Sequence, residues 1–254
     1  MALFTDGPAP TIDDLVDEDS GLLDVAENTG INVTAKLRLA HAEMATDLQL
    51  WLNKPRPMME MLWAPSLRIG QIVVTPPLQR WEKMLSLAMV YRDAYFNVVV
   101  DRYQAKWQEY LRLAGDARES FVASGLALVS DPVARPEPPV LGTTAASNPG
   151  GAFYVSVAGV NAAGQAGAPS WASSITTTDG TAILVAPVTW AKNVVAFRVY
   201  GGPSLTAMVL QNTTDETAGL TFTYQPGQIT DGPLPGNGQA VEFVRPMART
   251  IPRG

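Results

Sequence analysis

Apolar positions along this chain change period once, and the change divides it. From Thr11 to Lys54 and again from Thr75 to Gly125 they recur every three or four residues, as on amphipathic helices. From Val140 onward they alternate in short runs, as in strands. Thr11-Ile12-Asp13-Asp14 is a capping box with Asp in place of Glu and predicts a short helix to about Glu18. Ser20 stands to cap a second short turn, Gly21 to Asn28, closed by Gly30. Asn32 caps a third helix with Val33, Leu37, Ala40, Met44, Leu48, Trp51 and Leu52 on one face, stopping before Pro55. Thr75 to Gly125 predicts one very long helix. Thr75 offers its hydroxyl as N-cap, Pro76 and Pro77 suit the first turn, and Ser124-Gly125 closes it. Between them Leu78, Trp81, Leu85, Ala88, Tyr91, Tyr95, Val98, Val99, Tyr103, Trp107, Tyr110, Leu113, Ala117 and Phe121 keep helical spacing. Such a helix spans roughly 70 Å at about 1.5 Å per residue. It needs other helices along part of its length and neighbouring subunits along the rest.

Two connectors hold much of the proline. Lys54 to Thr75 carries Pro55, Pro57 and Pro65 around Met58-Met59-Glu60-Met61-Leu62-Trp63, a pliable stretch suited to packing on the helical body. Ile72-Val73-Val74 stands where a hydrophobic staple would enter the long helix. After Gly125, Pro132, Pro136, Pro138 and Pro139 predict an extended, stiff spacer. Candidate strands follow at Ala152–Val160, Ser170–Thr176, Thr181–Val185, Val194–Tyr200, Ala207–Gln211, Leu220–Tyr224 and Ala240–Val244. Turn signals separate them at Asn161–Gly164, Asp179-Gly180, Gly201–Pro203 and Asp231–Pro233. About seven short strands in about a hundred residues is the pattern of an antiparallel sandwich. The domains expected are a helical bundle over 1–130, a spacer over 131–139, a β-sandwich over 140–244 and a basic tail over 245–254. No internal repeat is visible.

Composition narrows the chemistry. The chain of 254 residues has no cysteine, which excludes disulfides, thiolate metal sites and cysteine nucleophiles. Its single histidine, His41, lies beside the stripe of the third helix and reads as a partly solvated helix residue. Hydrophobic content of 46% and charged content of 17% describe a folded chain. No apolar run approaches a membrane span, and no signal peptide is expected from MALFTDGPAP, so the sequons at Asn32 and Asn212 carry no glycosylation argument. The net charge is −6, and residues 1–35 hold eight acidic side chains and no Lys or Arg. Three arginines, Arg245, Arg249 and Arg253, lie in the last ten residues. An acidic head and a basic tail read either as two docking surfaces of opposite sign or as solubilising termini.

No G-x-S-x-G elbow, Walker A loop or dinucleotide fingerprint is present, and a serine triad would have to use His41. Asp13, Asp14, Asp17, Glu18 and Asp19 are close in sequence, but a charged run at helix starts reads as a solvated face. The most distinctive local pattern is Tyr91, Tyr95, Arg102, Tyr103, Lys106 and Trp107. Tyr91 and Tyr95, then Tyr103 and Trp107, stand four apart on one helix face, with Arg102 and Lys106 beside them. Aromatics interleaved with bases can bind single-stranded nucleic acid. The acidity of this half favours a helix–helix or subunit interface instead, where Tyr, Trp and Arg are enriched. Tyr154, Trp171, Trp190 and Phe222 could be exposed sugar platforms, but buried inter-sheet packing is the favoured reading.

At these residues a resemblance enters. YVSVAGVNAAGQAG followed by VVAFRVYGG resembles the immunoglobulin-like, fibronectin type III-like modules of phage structural proteins. DEDSGLLDVA, AKLRLAHAEMATDLQLWL and YRDAYFNVVVDRYQAKWQEY resemble the head-to-tail connector (adaptor) proteins of tailed bacteriophages over most of residues 11–130. The fold class so implied is multidomain α + β: an N-terminal helical bundle with one very long helix, then an immunoglobulin-like sandwich. The resemblance implies a non-enzymatic virion protein of the neck, without cofactor or metal, assembled in the host cytoplasm. It would form a dodecameric ring between the portal protein and tail or neck proteins. Genomic DNA would pass through the ring without sequence-specific binding, and no membrane is involved. The aromatic–basic set would lie at subunit contacts, and Arg245, Arg249 and Arg253 would dock on the portal. The rival is a fibre-associated or host-surface protein whose sandwich recognises carbohydrate; a metal nuclease using the N-terminal carboxylates is a weaker one.

Overall fold

A computed structural model describes residues 2–52, 67–98, 101–186, 189–236 and 238–244. Among the described residues, five α-helices occupy the N-terminal half and antiparallel sheets the C-terminal half. The chain divides into two units. One joins the residues up to Asp6 with Val129–Ala240; the other joins Gly7–Leu128 with the stretch beginning at Val241.

In the helical unit, α1 (Ile12–Glu18) starts at the expected capping box: Thr11 Oγ1 accepts from Asp14 N at 3.2 Å, and Asp14 Oδ2 accepts from Thr11 N at 2.7 Å. Helix α2 (Leu22–Thr29) ends at Gly30 in the left-handed region, φ +69°. Ser20 does not cap α2; Gly21 is the N-cap residue, and its N–H is taken by Asp19 Oδ1 at 3.1 Å. Asn32 does cap α3 (Val33–Leu52), accepting from Ala35 N at 3.0 Å. The stripe Val33, Leu37, Ala40, Met44, Leu48 and Leu52 is buried as its spacing requires, with Trp51 half-buried. The Met58–Trp63 stretch lies outside the described residues.

The run from Thr75 to Gly125 is two helices, α4 (Pro76–Val98) and α5 (Asp101–Ser124). They lie antiparallel: Trp81 faces Phe121 with ring centroids 5.9 Å apart, Tyr91 faces Tyr110 at 5.6 Å, and Tyr95 faces Trp107 at 6.3 Å. Each pair is nearly equidistant in sequence from residues 100 and 101. The very long helix is therefore corrected to a hairpin. In sequence, Val98, Val99 and Val100 put three β-branched residues together between the last residue of α4 and the first of α5. Asp101 then places a carboxylate in the first turn of α5, where the helix dipole favours it. A straight helix would leave its aromatic stripe without cover, whereas folding it back lets the stripe cover itself. Thr75 also departs from expectation. Its buried Oγ1 has no hydrogen-bond partner: Pro76 and Pro77 offer no N–H, and the Leu78 N–H at the third position is not engaged by it. At the other end Gly125, φ +95°, closes α5 as expected.

Ile72 and Val73 are buried, but they act as extended chain rather than a staple alone: Val73 N donates to Ala127 O at 2.9 Å. That contact joins them to β1 (Leu126–Leu128), whose other edge pairs with β10 (Glu242–Val244). The last expected strand thus pairs in the helical unit and not with the sheets that precede it.

The β unit holds β2 (Val140–Ala145), β3 (Gly151–Asn161), β4 (Ser173–Thr177), β5 (Thr181–Ala186), β6 (Val194–Gly202), β7 (Val209–Leu210), β8 (Glu216–Thr217) and β9 (Phe222–Tyr224). One sheet has the order β2-β5-β9 and the other β4-β3-β6-β7, with β8 also on β6; every pairing is antiparallel. Inward residues of both sheets make one core: Phe153, Val155, Val157, Ile183, Val185, Phe197, Val199 and Tyr224. Gly201 is required there, since a Cβ would lie 2.8 Å from the Tyr224 ring. The proline stretch is docked on this unit rather than free. Val133 is buried and its N–H donates to Gln239 Oε1 at 2.7 Å, while Pro139 O accepts from Ser173 Oγ at 2.8 Å.

Candidate functional site

Two members of the aromatic–basic set, Tyr91 and Lys106, converge with Tyr110 on one carboxylate of the helical unit. Asp19 follows α1, and its side chain is 5% exposed. Oδ2 accepts from Tyr91 Oη at 2.6 Å, Lys106 Nζ at 2.6 Å and Tyr110 Oη at 2.9 Å. Helix α4 supplies Tyr91 and α5 supplies Lys106 and Tyr110, so this one carboxylate ties the α1–α2 junction to both arms of the hairpin. Lys106 also lies over the Tyr91 ring, 4.9 Å from its centroid. Arg102 lies 4.7 Å from the Tyr103 ring centroid and donates to its hydroxyl at 2.9 Å.

Burial works to raise the Asp19 pKa, but the donors Lys106, Tyr91 and Tyr110 outweigh it and hold the carboxyl below the ordinary range. Burial, reinforced by the bond to Asp19, pushes both phenols well above the ordinary tyrosine value. The network is therefore a carboxylate held by two phenols that stay neutral through the neutral pH range, with Lys106 Nζ as its third donor. Neither phenol is poised to titrate there, which is the state of a structural clamp.

Of the six residues singled out by sequence, Tyr91 and Tyr103 are fully buried within the chain, and Tyr95, Lys106 and Trp107 are half-buried. Arg102 is exposed. The structure adds Asp19, Tyr110 and Phe96, whose ring lies 5.9 Å from Trp107. Tyr110 could have been found, since it continues the stripe of Tyr103 and Trp107. Asp19 is a correction: Asp13, Asp17 and Glu18 are solvated, but Asp19 is buried. Its spacing of four from Leu15 and three from Leu22, both buried, was the available signal. Arg245, Arg249 and Arg253 lie outside the described residues.

Elsewhere in this unit, the fully buried Glu82 accepts from Ala9 N at 3.0 Å and meets His41 Nδ1 at 2.8 Å, which ties the N-terminal entry to α3 and α4. Among the described residues no group of three or more His, Cys, Asp or Glu side chains is placed to hold a metal ion. Nor is any described helix long and apolar enough to cross a membrane. No protein-family model, curated protein or solved structure matches this chain.

Proposed function

We propose that this chain is a non-enzymatic structural subunit of the neck of a tailed bacteriophage. Copies form a dodecameric ring between the portal and the tail, around the channel through which the genome passes. The observation that carries the reading is the outer surface of the hairpin. Phe96 is 65% exposed, Val98 51% and Leu111 50%, beside the half-buried Trp107. Trp107 and Leu111 stand four apart on one face of α5, and Phe96 touches Trp107, so this is a contiguous apolar patch rather than scattered side chains. A neighbouring subunit is its natural cover. Within the proposed contact set, Tyr95, Arg102, Lys106 and Trp107 remain accessible to a neighbour, while Tyr91 and Tyr103 support the patch from beneath. Arg245, Arg249 and Arg253 are the proposed portal-docking residues.

The β unit supports the same reading as an immunoglobulin-like module. Sheet orders β2-β5-β9 and β4-β3-β6-β7 reproduce the neighbour relations A-B-E and G-F-C-C′ of such sandwiches. The chain visits those positions in the order A, F, G, B, C, C′, E, so the F–G hairpin precedes strand B. This is a permuted version of the module. The test of function is negative-stain imaging of the protein mixed with purified portal. Rings seated on the portal are expected; portals that remain bare would refute the proposal.

A further inference from the structure

Four aromatic side chains of the β unit were candidates for an exposed platform, and three are occupied. Trp190 and Phe222 pack against the inter-sheet core, and Tyr154 packs against Ala158, Tyr200 and Met208. Trp171 remains 64% exposed. Its mounting is rigid. Ser170 N donates to Val157 O at 2.7 Å, Ser170 Oγ accepts from Val157 N at 3.1 Å, and Ser170 O accepts from Ser156 Oγ at 2.9 Å. Both serines are buried, so the residue before the indole is fixed by three hydrogen bonds. On one side of the ring stands Arg135, its guanidinium carbon 4.5 Å from the ring centroid. Arg135 Nε is buried without a hydrogen-bond partner, so any donation to a ligand falls to the two terminal guanidinium nitrogens, and no described carboxylate forms an ion pair with this side chain. The residues flanking Trp171 are small (Pro169, Ser170, Ala172, Ser173, Ser174), which leaves the indole standing clear of the surface.

We propose that Trp171 and Arg135 form a saccharide-binding subsite. The open face of the indole stacks on the C–H face of a pyranose ring, and the guanidinium donates to hydroxyl or carboxylate oxygens at the ring's edge. A saccharide matches because it combines an apolar face with an oxygen-rich rim, as this pair combines an aromatic plane with uncommitted donors. A protein contact would call for an apolar surround, and the flanking residues are small and mostly polar. The fixed backbone at Ser170 keeps the ordering cost of binding low. The inference concerns the β unit alone and stands independently of the connector reading.

The experiment uses the full chain labelled with ¹⁵N, following the indole N–H resonance of Trp171, identified by its absence in Trp171→Phe. The probes are maltohexaose, chitohexaose and an oligogalacturonate. At least one is expected to shift that resonance with a Kd of about 1 mM or tighter. Trp171→Ala lacks the reporting indole and is followed by the backbone amide resonances that shift with it in the parent; it should weaken that binding by about tenfold or more with an unchanged circular dichroism spectrum, and Arg135→Gln should weaken the acidic probe most. If no probe shifts the resonance, or if Trp171→Ala binds as tightly as the parent chain, the proposal fails. A Trp171→Ala variant that loses only portal docking or self-association would make the patch a protein contact and equally overturn it.

Discussion

Replacing Asp19 with alanine tests whether a single buried carboxylate, and not the aromatic rings alone, fastens α1 and α2 to the hairpin. The substitution removes the acceptor of a 2.6 Å bond from a fully buried phenol, Tyr91, a hydrogen bond to a charged group and so about 1.5–3 kcal/mol. Tyr110 is half-buried and adds about 1 kcal/mol. Lys106 is 44% exposed and can turn to water, so its share is discounted to below about 1 kcal/mol. These donors share one oxygen and are not additive, which brings the expected total to about 3–4 kcal/mol. With an m-value of about 2 kcal/mol/M, the urea midpoint of the helical signal at 222 nm should fall by about 1.5–2 M. Tyr91→Phe should lose about half as much, and the double variant should show coupling of about 1 kcal/mol or more. A midpoint for Asp19→Ala within about 0.3 M of the parent would show that ring packing alone holds the unit. The pH dependence has a definite sign. The Asp19 pKa is depressed in the folded state, so its contribution is complete above the ordinary aspartate value of about 3.9 and is lost as pH falls through the lower folded value. The gap between parent and variant should hold constant from about pH 5 to 8 and close only below about pH 4.

Gly201→Ala would place a Cβ 2.8 Å from the Tyr224 ring in the core shared by the two sheets. Urea unfolding should show a loss of about 1–3 kcal/mol confined to the β unit, with the helical signal unchanged. Phe96→Asp combined with Leu111→Asp alters two exposed side chains, so circular dichroism and the urea midpoint should stay within about 0.5 kcal/mol of the parent. Imaging with portal should then show monomers and no rings; normal rings would place the subunit contact elsewhere.

Local signals were legible and long-range ones were not. The Thr11–Asp14 box, the Asn32 cap, the Gly30 and Gly125 ends and the buried stripe of α3 all follow from side-chain chemistry within one or two turns. The hairpin was hidden because the apolar period runs through residues 98–101 unbroken. Helical spacing records which face is apolar, not whether the chain turns back to bury that face against itself. The same limit applies to β10, where alternation reports a strand but not its partner, and that partner is β1, more than a hundred residues earlier. Asp19 was hidden for a related reason: its three donors are 72, 87 and 91 residues away, so its local setting is an acidic run. A deletion of hydroxyls and charges scattered that widely leaves no local pattern to read.

The antiparallel packing of α4 on α5 changes which surface is left for the proposed assembly. A straight helix would offer its whole aromatic face to neighbours, and subunits would need each other to fold. Folded back, Tyr91, Tyr103 and Tyr110 pack ring on ring inside a single chain, Tyr91 and Tyr110 bond Asp19, and the helical unit has a core of its own. Outside stands the short patch of Phe96, Val98, Trp107 and Leu111, while Leu23, Leu39 and Leu50 are exposed elsewhere on the described part of the unit. Burying a Phe or Leu fully gains about 1.5–3 kcal/mol, and these side chains are already partly covered, so the patch contributes about 5 kcal/mol per contact. That is close to the cost of immobilising a partner, which makes a lone pair of subunits unstable. In a closed ring each subunit makes the contact twice, and seating on a template removes much of the remaining cost. Under the proposed function, ring formation would then depend on the portal, and sedimentation of the isolated protein at micromolar concentration should show a monomer.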